Sequence, residues 1–370
     1  MKILSVFGTR PEAVKMAPVI KELRKYPQHF DCGVCISAQH RQMLDPFLKL
    51  FDIKPDFDLN IMQDKQSLEY ITSTVLSQIG WIIEQERPDI VLVQGDTTTS
   101  MATAMAAFYQ HVRVGHIEAG LRTYDKKQPF PEEMNRRFID GISDLYFVHT
   151  QEAMDNLIRE GVSRDRIELT GNTDIDSLLE IASRPEEALP VTLQGIPFEG
   201  KKVILVTAHR RENVGKPLEN ICQALRVIAG KYANDVIIIY PVHLNPRVRE
   251  IVDRLLKGYK NIFCIDPLGY EAFVQLMKRS YLILTDSGGI QEEAPSLHKP
   301  VLVLREVTER PEALQTGATC LVGVDIKRIV DQTCLLIEDA QAYQKMSQAI
   351  NPYGDGKASQ RIVERLLREI

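Results

Sequence analysis

The chain has 370 residues, of which 44% are hydrophobic and 26% are charged, and its formal net charge is −5. This length predicts two domains rather than one core, and the composition is that of a globular protein. The acidic balance argues against nucleic acid as a partner, and no apolar run approaches the roughly 20 residues of a membrane span. Residues 1–7 become polar too soon for a signal peptide, so we expect a cytoplasmic protein.

Strand-like and helix-like segments alternate along nearly the whole chain. In the first half the predicted strands cover 3–7, 32–37, 90–94, 112–117, 145–149 and 167–170, and the clearest helices cover 67–86 and 97–110. In the second half the predicted strands cover 203–207, 236–240, 262–265, 281–285, 300–304 and 319–322. This alternation predicts an α/β architecture with parallel sheets and helices on both faces.

Prolines and glycines between residues 183 and 200 interrupt the alternation and predict a linker. We therefore expect two similar α/β domains, over 1–185 and 186–352, that face each other across a cleft. A last predicted helix, over 356–370, is expected to bring the segment 353–370 back to the first domain.

The segment 281–294 indicates a buried strand, a tight turn and a helix. Ser287, Gly288 and Gly289 form the turn, and glycines allow the backbone to reverse without a Cβ in the way. A helix that begins there directs free N–H groups at the space beyond the strand, where phosphate is a common ligand. Glu293 lies one turn later and could reach sugar hydroxyls. The alternative is an ordinary turn between a strand and a helix.

The tetrapeptide Arg-Pro-Glu-Ala occurs at 10–13 and again at 310–313. At the first site, Thr9 and Glu12 have the spacing of a capping box, and proline suits the first helical turn. Arg10 and Arg310 could both point at phosphate or sugar across the expected cleft. The alternative is two well-capped helices with incidental arginines.

Three carboxylates are candidates for proton transfer. Asp96 and Glu118 end successive predicted strands, and Glu132 follows a long polar loop and shares a helix face with Arg136. Because the carboxyl ends of parallel strands carry the sites of open sheets, we expect these carboxylates to raise one another's proton affinity. Two structural alternatives remain: Asp96 could cap the helix at 97–110, and Glu132 with Arg136 could be a surface pair.

Two histidines follow strands of the second half. His209 lies beside Arg210 and Arg211, which favours contact with a phosphate, and His243 is either a turn residue or part of the site. The first strand has no Gly-x-Gly-x-x-Gly after it and the chain has no P-loop, so no dinucleotide cofactor is predicted. No Cys/His spacing indicates a metal site, and Cys32 and Cys35 lie within a predicted strand as structural cysteines.

With these residues identified, the chain strongly resembles the non-hydrolysing UDP-N-acetylglucosamine 2-epimerases. The resemblance extends over nearly the whole chain. Its motifs are FGTRPEA at 7–13, QGDTTT at 94–99, HIEAGLRT at 116–123, PEEMNRR at 131–137, TGNT at 170–173, HRREN at 209–213, PVHLNP at 241–246, TDSGGIQEEAP at 285–295, TERPEA at 308–313 and NPYGDG at 351–356.

The resemblance implies a fold similar to the B-type glycosyltransferases, with two Rossmann-like domains. It also implies a homodimer, and interconversion of UDP-N-acetylglucosamine and UDP-N-acetylmannosamine for envelope polysaccharides. By this likeness, the residues that hold UDP are Arg10, His209, Phe273, Ser287, Gly288, Gly289, Glu293 and Arg310. Those that face the sugar are Lys15, Asp96, Glu118, Glu132 and Arg136. A second UDP-N-acetylglucosamine, acting as an activator, would contact Gln39, His40, Gln42 and His243. Leu268 departs from the glutamine that some members have near the base, where backbone groups could still hold uracil.

The sugar hydrogen at carbon 2 is barely acidic, so an epimerase must either oxidise a neighbouring hydroxyl or expel the anomeric UDP. Because no dinucleotide loop is present, we expect elimination of UDP to 2-acetamidoglucal, followed by re-addition. Asp96, Glu118, Glu132 and His209 are the expected catalytic residues, with the base and acid roles shared among the carboxylates. The alternatives are a retaining glycosyltransferase, a hydrolysing 2-epimerase and a nucleotide-sugar sensor without activity.

Overall fold

The computed structural model of the chain describes residues 1–185 and 190–370. The chain divides into two compact units, one formed by Met1–Ser177 with Tyr353–Ile370 and the other by Leu178–Pro352. The predicted linker over 183–200 includes residues 186–189, which lie outside the described residues, as does the start of the predicted second domain.

In the first unit, a parallel seven-stranded sheet has the order β3-β2-β1-β4-β5-β6-β7. Its strands are β1 Lys2–Phe7, β2 Asp31–Ile36, β3 Phe57–Asp58, β4 Ile90–Gln94, β5 Arg113–Ile117, β6 Leu145–Val148 and β7 Ile167–Leu169. The helices that connect or follow them are α1 Arg10–Leu23, α2 Arg41–Leu50, α3 Leu68–Glu86, α4 Thr98–Tyr109, α5 Glu132–Ile142 and α6 Gln151–Arg159, with a 3-10 turn at Arg164–Arg166. Helix α7, Thr173–Ser183, begins in this unit and continues past Ser177 into the residues of the second.

In the second unit, a parallel six-stranded sheet has the order β10-β9-β8-β11-β12-β13. Its strands are β8 Lys202–Thr207, β9 Val236–Pro241, β10 Ile262–Ile265, β11 Leu282–Thr285, β12 Val301–Val303 and β13 Thr319–Leu321. Its helices are α8 Lys216–Lys231, α9 Pro246–Leu256, α10 Tyr270–Arg279, α11 Gly288–Glu293, α12 Pro311–Gln315, α13 Ile326–Glu338 and α14 Ala340–Ser347, with 3-10 turns at Val191–Leu193, Arg211–Asn213 and Ala294–Leu297.

The central strands β1, β4, β8 and β11 form because they are largely apolar and buried on both faces, as parallel sheets require. Residues 90–94 and 282–285, for example, are buried throughout. The predicted α/β fold class is therefore confirmed, and each of the twelve predicted strands is present within a residue or two of its predicted bounds. Of the strands in the part of the chain that the structure describes, β3 alone was not predicted, because two residues are too short to show an apolar pattern.

The last helix, α15 Ala358–Leu367, packs on α1 of the first unit, as predicted. Hydrogen bonds anchor this part of the chain: for example, Asn172 N donates to Tyr353 O at 2.7 Å, and the buried Asp176 carboxylate accepts from Ser359 N at 2.8 Å. No helix among the described residues combines the length and apolar character needed to cross a bilayer.

The order of each sheet reverses next to its first strand. β1 lies between β2 and β4, and β8 lies between β9 and β11. Ligands of open α/β sheets bind beyond the carboxyl ends of the strands at such reversals. The segments that follow β1, β4, β5, β8 and β11 are therefore where each unit can build a site.

Candidate active site

In the first unit, Asp96 and Glu118 follow two adjacent strand ends. Gln94 of β4 is in register with Ile117 of β5, and Gly95 N donates to Ile117 O at 2.9 Å. The two carboxylates therefore emerge at the same edge of the sheet, as expected from the strand order.

Asp96 is held by α5 rather than used as a helix cap. The N-cap of α4 is Thr97, whose side chain accepts from Ser100 N, so the alternative that Asp96 caps this helix is wrong. The Asp96 carboxylate pairs with the guanidinium of Arg136, and its carbonyl accepts from Asn135 Nδ2 at 2.9 Å. Arg136 is buried and its second acidic neighbour is Glu133, at 3.5 Å, so it does not form the surface pair with Glu132 that was the alternative. Glu132 is partly exposed at the first position of α5.

Glu118 has an unusual backbone and two polar partners. Its φ is +70°, in the left-handed region that costs a non-glycine residue roughly 1–2 kcal/mol. Its side chain pairs with the ammonium group of Lys15 on α1 and accepts from Gln94 Nε2 at 2.6 Å. Asp96 and Glu118 thus each pair with a cation, Arg136 and Lys15 respectively.

A buried network beneath these carboxylates fixes the two loops. His116 Nδ1 lies 2.7 Å from Asp140 Oδ1, and His116 Nε2 lies 2.8 Å from Gly95 O. The other Asp140 oxygen accepts from Gly120 N at 3.2 Å and from Arg122 Nη1 at 2.7 Å. Burial favours a raised pKa for Asp140, but His116 and Arg122 outweigh it and hold this pKa below its usual value.

Both ring nitrogens of His116 thus face oxygen atoms, one of the Asp140 carboxylate and one of the Gly95 carbonyl. This network was not predicted to belong to the site, although His116 and Arg122 lie in the motif at 116–123. The network binds the backbone of Gly95, which precedes Asp96, and of Gly120, which lies two residues after Glu118.

The remaining predicted residues of the first unit lie around the starts of α1 and α2. Thr9 and Glu12 form the predicted capping box, and the exposed Arg10 places its guanidinium carbon 5.8 Å from the centre of the Phe47 ring. Gln39 Oε1 accepts from Thr99 Oγ1 at 3.1 Å. His40 is the N-cap of α2, and Gln42 is exposed on its first turn.

In the second unit, the predicted strand, turn and helix at 281–294 are confirmed. β11 ends at Thr285, Ser287 is the N-cap of α11, and Gly288 and Gly289 form its first turn. Asp286, between Thr285 and Ser287, is buried. Its Oδ2 accepts hydrogen bonds from His209 N and Arg210 N, both at 2.8 Å. This carboxylate ties the loop after β8 to the end of β11.

Two guanidinium groups lie over the start of α11. A Cβ placed on Gly288 would be 3.6 Å from Arg210 Nη2 and 3.9 Å from Arg310 Nη2. Arg310 is oriented by an ion pair from its Nε to Glu292 and by a bond from Nη1 to Glu309 O at 3.1 Å. Arg210 was not predicted as a site residue; its position beside His209 in the motif at 209–213 was the available signal.

The two histidines of the second unit are stacked. The rings of His209 and His243 are nearly parallel, at 6°, with centroids 5.2 Å apart. His243 is also a turn residue, since its Nδ1 accepts from Asn245 N at 3.1 Å. Burial lowers the pKa of His209 most; His243 and Arg210 lower it further, and Asp286 opposes them.

Two further predicted residues approach from α10 and α11. Glu293 is buried, and its Oε1 accepts from Tyr270 OH at 3.3 Å. Phe273 lies one turn after Tyr270 on α10 and is partly buried. Among the described residues, no group of three or more histidine, cysteine, aspartate or glutamate side chains is arranged to hold a metal ion.

Comparisons with known proteins identify the family. A family model described as UDP-N-acetylglucosamine 2-epimerase matches residues 21–367. The UDP-N-acetylglucosamine 2-epimerase of Escherichia coli K12 is 53% identical over 371 residues, covering 99% of this chain and 98% of that protein. That of Bacillus subtilis 168 is 52% identical over 367 residues, covering 99% and 95%.

A solved structure agrees with this assignment. The Neisseria meningitidis UDP-GlcNAc 2-epimerase, solved with UDP-GlcNAc bound, matches with a TM-score of 0.91 and 49% identity, and each chain is covered to 100%. Because the sequence, the fold and the motifs at the strand ends agree over the whole length, the chain belongs to the UDP-N-acetylglucosamine 2-epimerase family.

Proposed function

We propose that this protein interconverts UDP-N-acetylglucosamine and UDP-N-acetylmannosamine by elimination and re-addition of UDP. Full-length similarity to a Neisseria meningitidis enzyme solved with UDP-GlcNAc bound carries the substrate assignment. The charged groups at the strand ends of each unit support the chemistry.

The nucleotide would bind to the second unit, with Arg10 of the first unit adding a charge. The first turn of α11, with Ser287, Gly288 and Gly289, offers backbone N–H groups to a phosphate, and Arg310 lies beside it. His209 would contact the same diphosphate, Glu293 would bind sugar hydroxyls and Phe273 would lie beside the uracil. These donors are fixed before the reaction and would stabilise the charge of departing UDP.

The sugar would lie against Lys15, Asp96, Glu118, Glu132 and Arg136. In the elimination step a carboxylate removes the hydrogen at carbon 2 while the bond between carbon 1 and the UDP oxygen breaks. The products are 2-acetamidoglucal, free UDP and a protonated carboxyl group. In the return step a second acid delivers a proton to the opposite face of carbon 2, and the UDP oxygen attacks carbon 1. Such proton transfers contribute about 10²–10⁴ in rate.

The test follows hydrogen at carbon 2. With UDP-N-acetylglucosamine and the protein in deuterated water, proton NMR should show deuterium at carbon 2 of both recovered substrate and product. Complete retention of hydrogen at carbon 2 during conversion would contradict elimination. Glu118→Gln is the control, and it should exchange hydrogen far more slowly.

The same NMR experiment separates the alternatives. A retaining glycosyltransferase would leave the substrate unchanged until an acceptor is added. A hydrolysing 2-epimerase would accumulate free N-acetylmannosamine and UDP. The proposed reaction instead reaches a stable mixture of two nucleotide sugars.

We also propose that Gln39, His40, Gln42 and His243 bind a second UDP-N-acetylglucosamine as an activator. The first three lie together where α2 begins. If they do, UDP-N-acetylmannosamine alone should react slowly, and a trace of UDP-N-acetylglucosamine should accelerate it. Gln42→Ala should abolish that acceleration, whereas a rate unaffected by the trace would exclude an activator.

A cytoplasmic homodimer is the proposed state of the protein. Exposed aromatic side chains support an interface on the first unit: Trp81 of α3 and Phe108 and Tyr109 of α4 are each more than half exposed. Gln110 Nε2, at the C-terminal end of α4, donates to Gly80 O of α3, so the end of α4 lies beside this part of α3. Light scattering should give twice the mass of one chain, and the Trp81→Asp variant should give the mass of a single chain. Cell fractionation should recover the protein in the cytoplasmic fraction.

A further inference from the structure

Asp286 is the most completely buried carboxylate of the second unit's site, with no measurable exposure. Its Oδ2 accepts three hydrogen bonds, from His209 N, Arg210 N and Asn213 Nδ2, at 2.8–2.9 Å. Three N–H donors therefore converge on this one oxygen and hold the carboxylate in place.

The other oxygen, Asp286 Oδ1, has no hydrogen-bond partner among the described residues although it is fully buried. A buried acceptor without a donor is costly, on the order of 1–3 kcal/mol. The nearest ring nitrogen is His209 Nδ1, at 3.6 Å, which is slightly too long for a hydrogen bond. The His209 side chain is 40% exposed, so the ring has room to move those few tenths of an ångström. Such contacts often tighten only when the ligand is bound.

We infer that Asp286 is a positioning residue for His209. It keeps the ring proton on Nδ1 and so directs Nε2 at the ligand. When a diphosphate is bound, it also stabilises the imidazolium form that the diphosphate favours. The role toward the diphosphate rests on the proposed function, whereas the effect on the ring does not. An imidazolium can donate through both nitrogens at once, to Asp286 and to a phosphate oxygen.

Among the groups around His209, Asp286 is the one that favours a proton on the ring. His243 stacks on the ring face and Arg210 follows in the chain, and both disfavour a positive charge on His209. Burial lowers the pKa of His209 in the free protein, so the ring is neutral at pH 8 and its tautomer is set by Asp286.

A purely structural role for Asp286 is the rival explanation, since its Oδ2 anchors the loop after β8. Asp286→Asn separates the two. The amide oxygen can accept the three bonds now made to Oδ2, so the loop stays anchored. The amide NH₂ then faces His209 Nδ1 as a donor, and the ring proton must move to Nε2.

The experiment records ¹⁵N spectra of the full-length protein labelled at histidine, at pH 8. His209→Gln assigns the signals of this ring. The matched control is Asp176→Asn, because the Asp176 carboxylate is also buried and also accepts two backbone N–H bonds and one side-chain bond, here from Ser359.

The expected result is an Nδ1–H tautomer of His209 in the wild-type protein and in Asp176→Asn, and an Nε2–H tautomer in Asp286→Asn. If the His209 tautomer is the same in wild type and Asp286→Asn, the inference is overturned. UDP titration calorimetry tests the proposed function separately: Asp286→Asn should bind UDP about tenfold more weakly, the size of a lost charge-assisted bond. A switched tautomer with unchanged UDP affinity would support the positioning of His209 and contradict its assigned contact with the diphosphate.

Discussion

The Glu118 carboxylate pairs with the Lys15 ammonium group, while the Glu118 backbone holds a left-handed conformation. Unfavourable backbone conformations persist where the surroundings determine them strongly, and they are frequent at functional sites. Here the surroundings are Lys15, Gln94 and the buried Asp140 network. Together they fix one carboxylate in one direction at the sheet edge.

Replacing Glu118 by glutamine should remove proton transfer with little change in shape. We expect Glu118→Gln to lower kcat about 10²–10⁴-fold and to leave UDP affinity unchanged, because the nucleotide would bind to the other unit. NMR assays of epimerisation and calorimetry with UDP measure the two quantities. Glu168→Gln, in β7, is the control and should retain full activity, because this half-buried carboxylate pairs with Arg368.

Asp140 should stabilise the fold in a pH-dependent way. Its pKa is depressed in the folded state, so its contribution is fully present above the unfolded value of 3.8 and is lost as the pH falls through the folded pKa. Asp140→Asn should cost about 3–5 kcal/mol at pH 7, because it removes the buried anion that contacts both His116 and Arg122. Urea unfolding at pH 7, 5 and 3 should show this difference shrinking only at pH 3.

Glu160→Gln is the matched control for that series, since it removes the more exposed partner of the same Arg122. Its cost should stay within about 1 kcal/mol. A cost for Asp140→Asn that is equally small would mean that the buried network does not support the fold.

Gly120 and Gly141 should respond to alanine in opposite ways. Gly120 has a φ of +83°, and an added Cβ would lie 2.3 Å from the Ala153 carbonyl oxygen, so Gly120→Ala should cost more than about 3 kcal/mol. Gly141 lies in α5 with nothing within 4 Å of an added Cβ, so Gly141→Ala should stabilise by about 0.4–1 kcal/mol. Thermal and urea unfolding measure both, and a destabilised Gly141→Ala would contradict the described helix.

Arg210 and Arg310 should both contribute to UDP binding, because their guanidinium groups flank Gly288. Each alanine variant is expected to weaken UDP binding about tenfold, the scale of one charge-assisted hydrogen bond. Raising the salt concentration should reduce the difference in UDP affinity between each variant and the wild-type protein. Arg254→Ala, which removes an exposed pair with Glu219, serves as control and should bind UDP normally.

The strands and the sheet edges followed from the sequence because buried parallel strands are continuous apolar runs with polar residues at their ends. Local geometry did not follow as well. Asp96 and Thr97 are both good capping residues, and only the structure shows that Thr97 caps α4 while Asp96 meets Arg136. The pairing of His116 with Asp140 joins β5 to α5, and no spacing in the sequence encodes such a contact. The position of Arg210 over Gly288 likewise depends on how β8 and β11 pair.

The first compact unit is assembled from both ends of the chain, since α15 packs on α1. During synthesis the ribosome makes the α1 surface early and α15 only after the whole second unit. The face of α1 that α15 covers therefore stays exposed until α15 has been synthesised. Translation that stalls before residue 353 would consequently leave a nascent protein whose first-made half is the unfinished one.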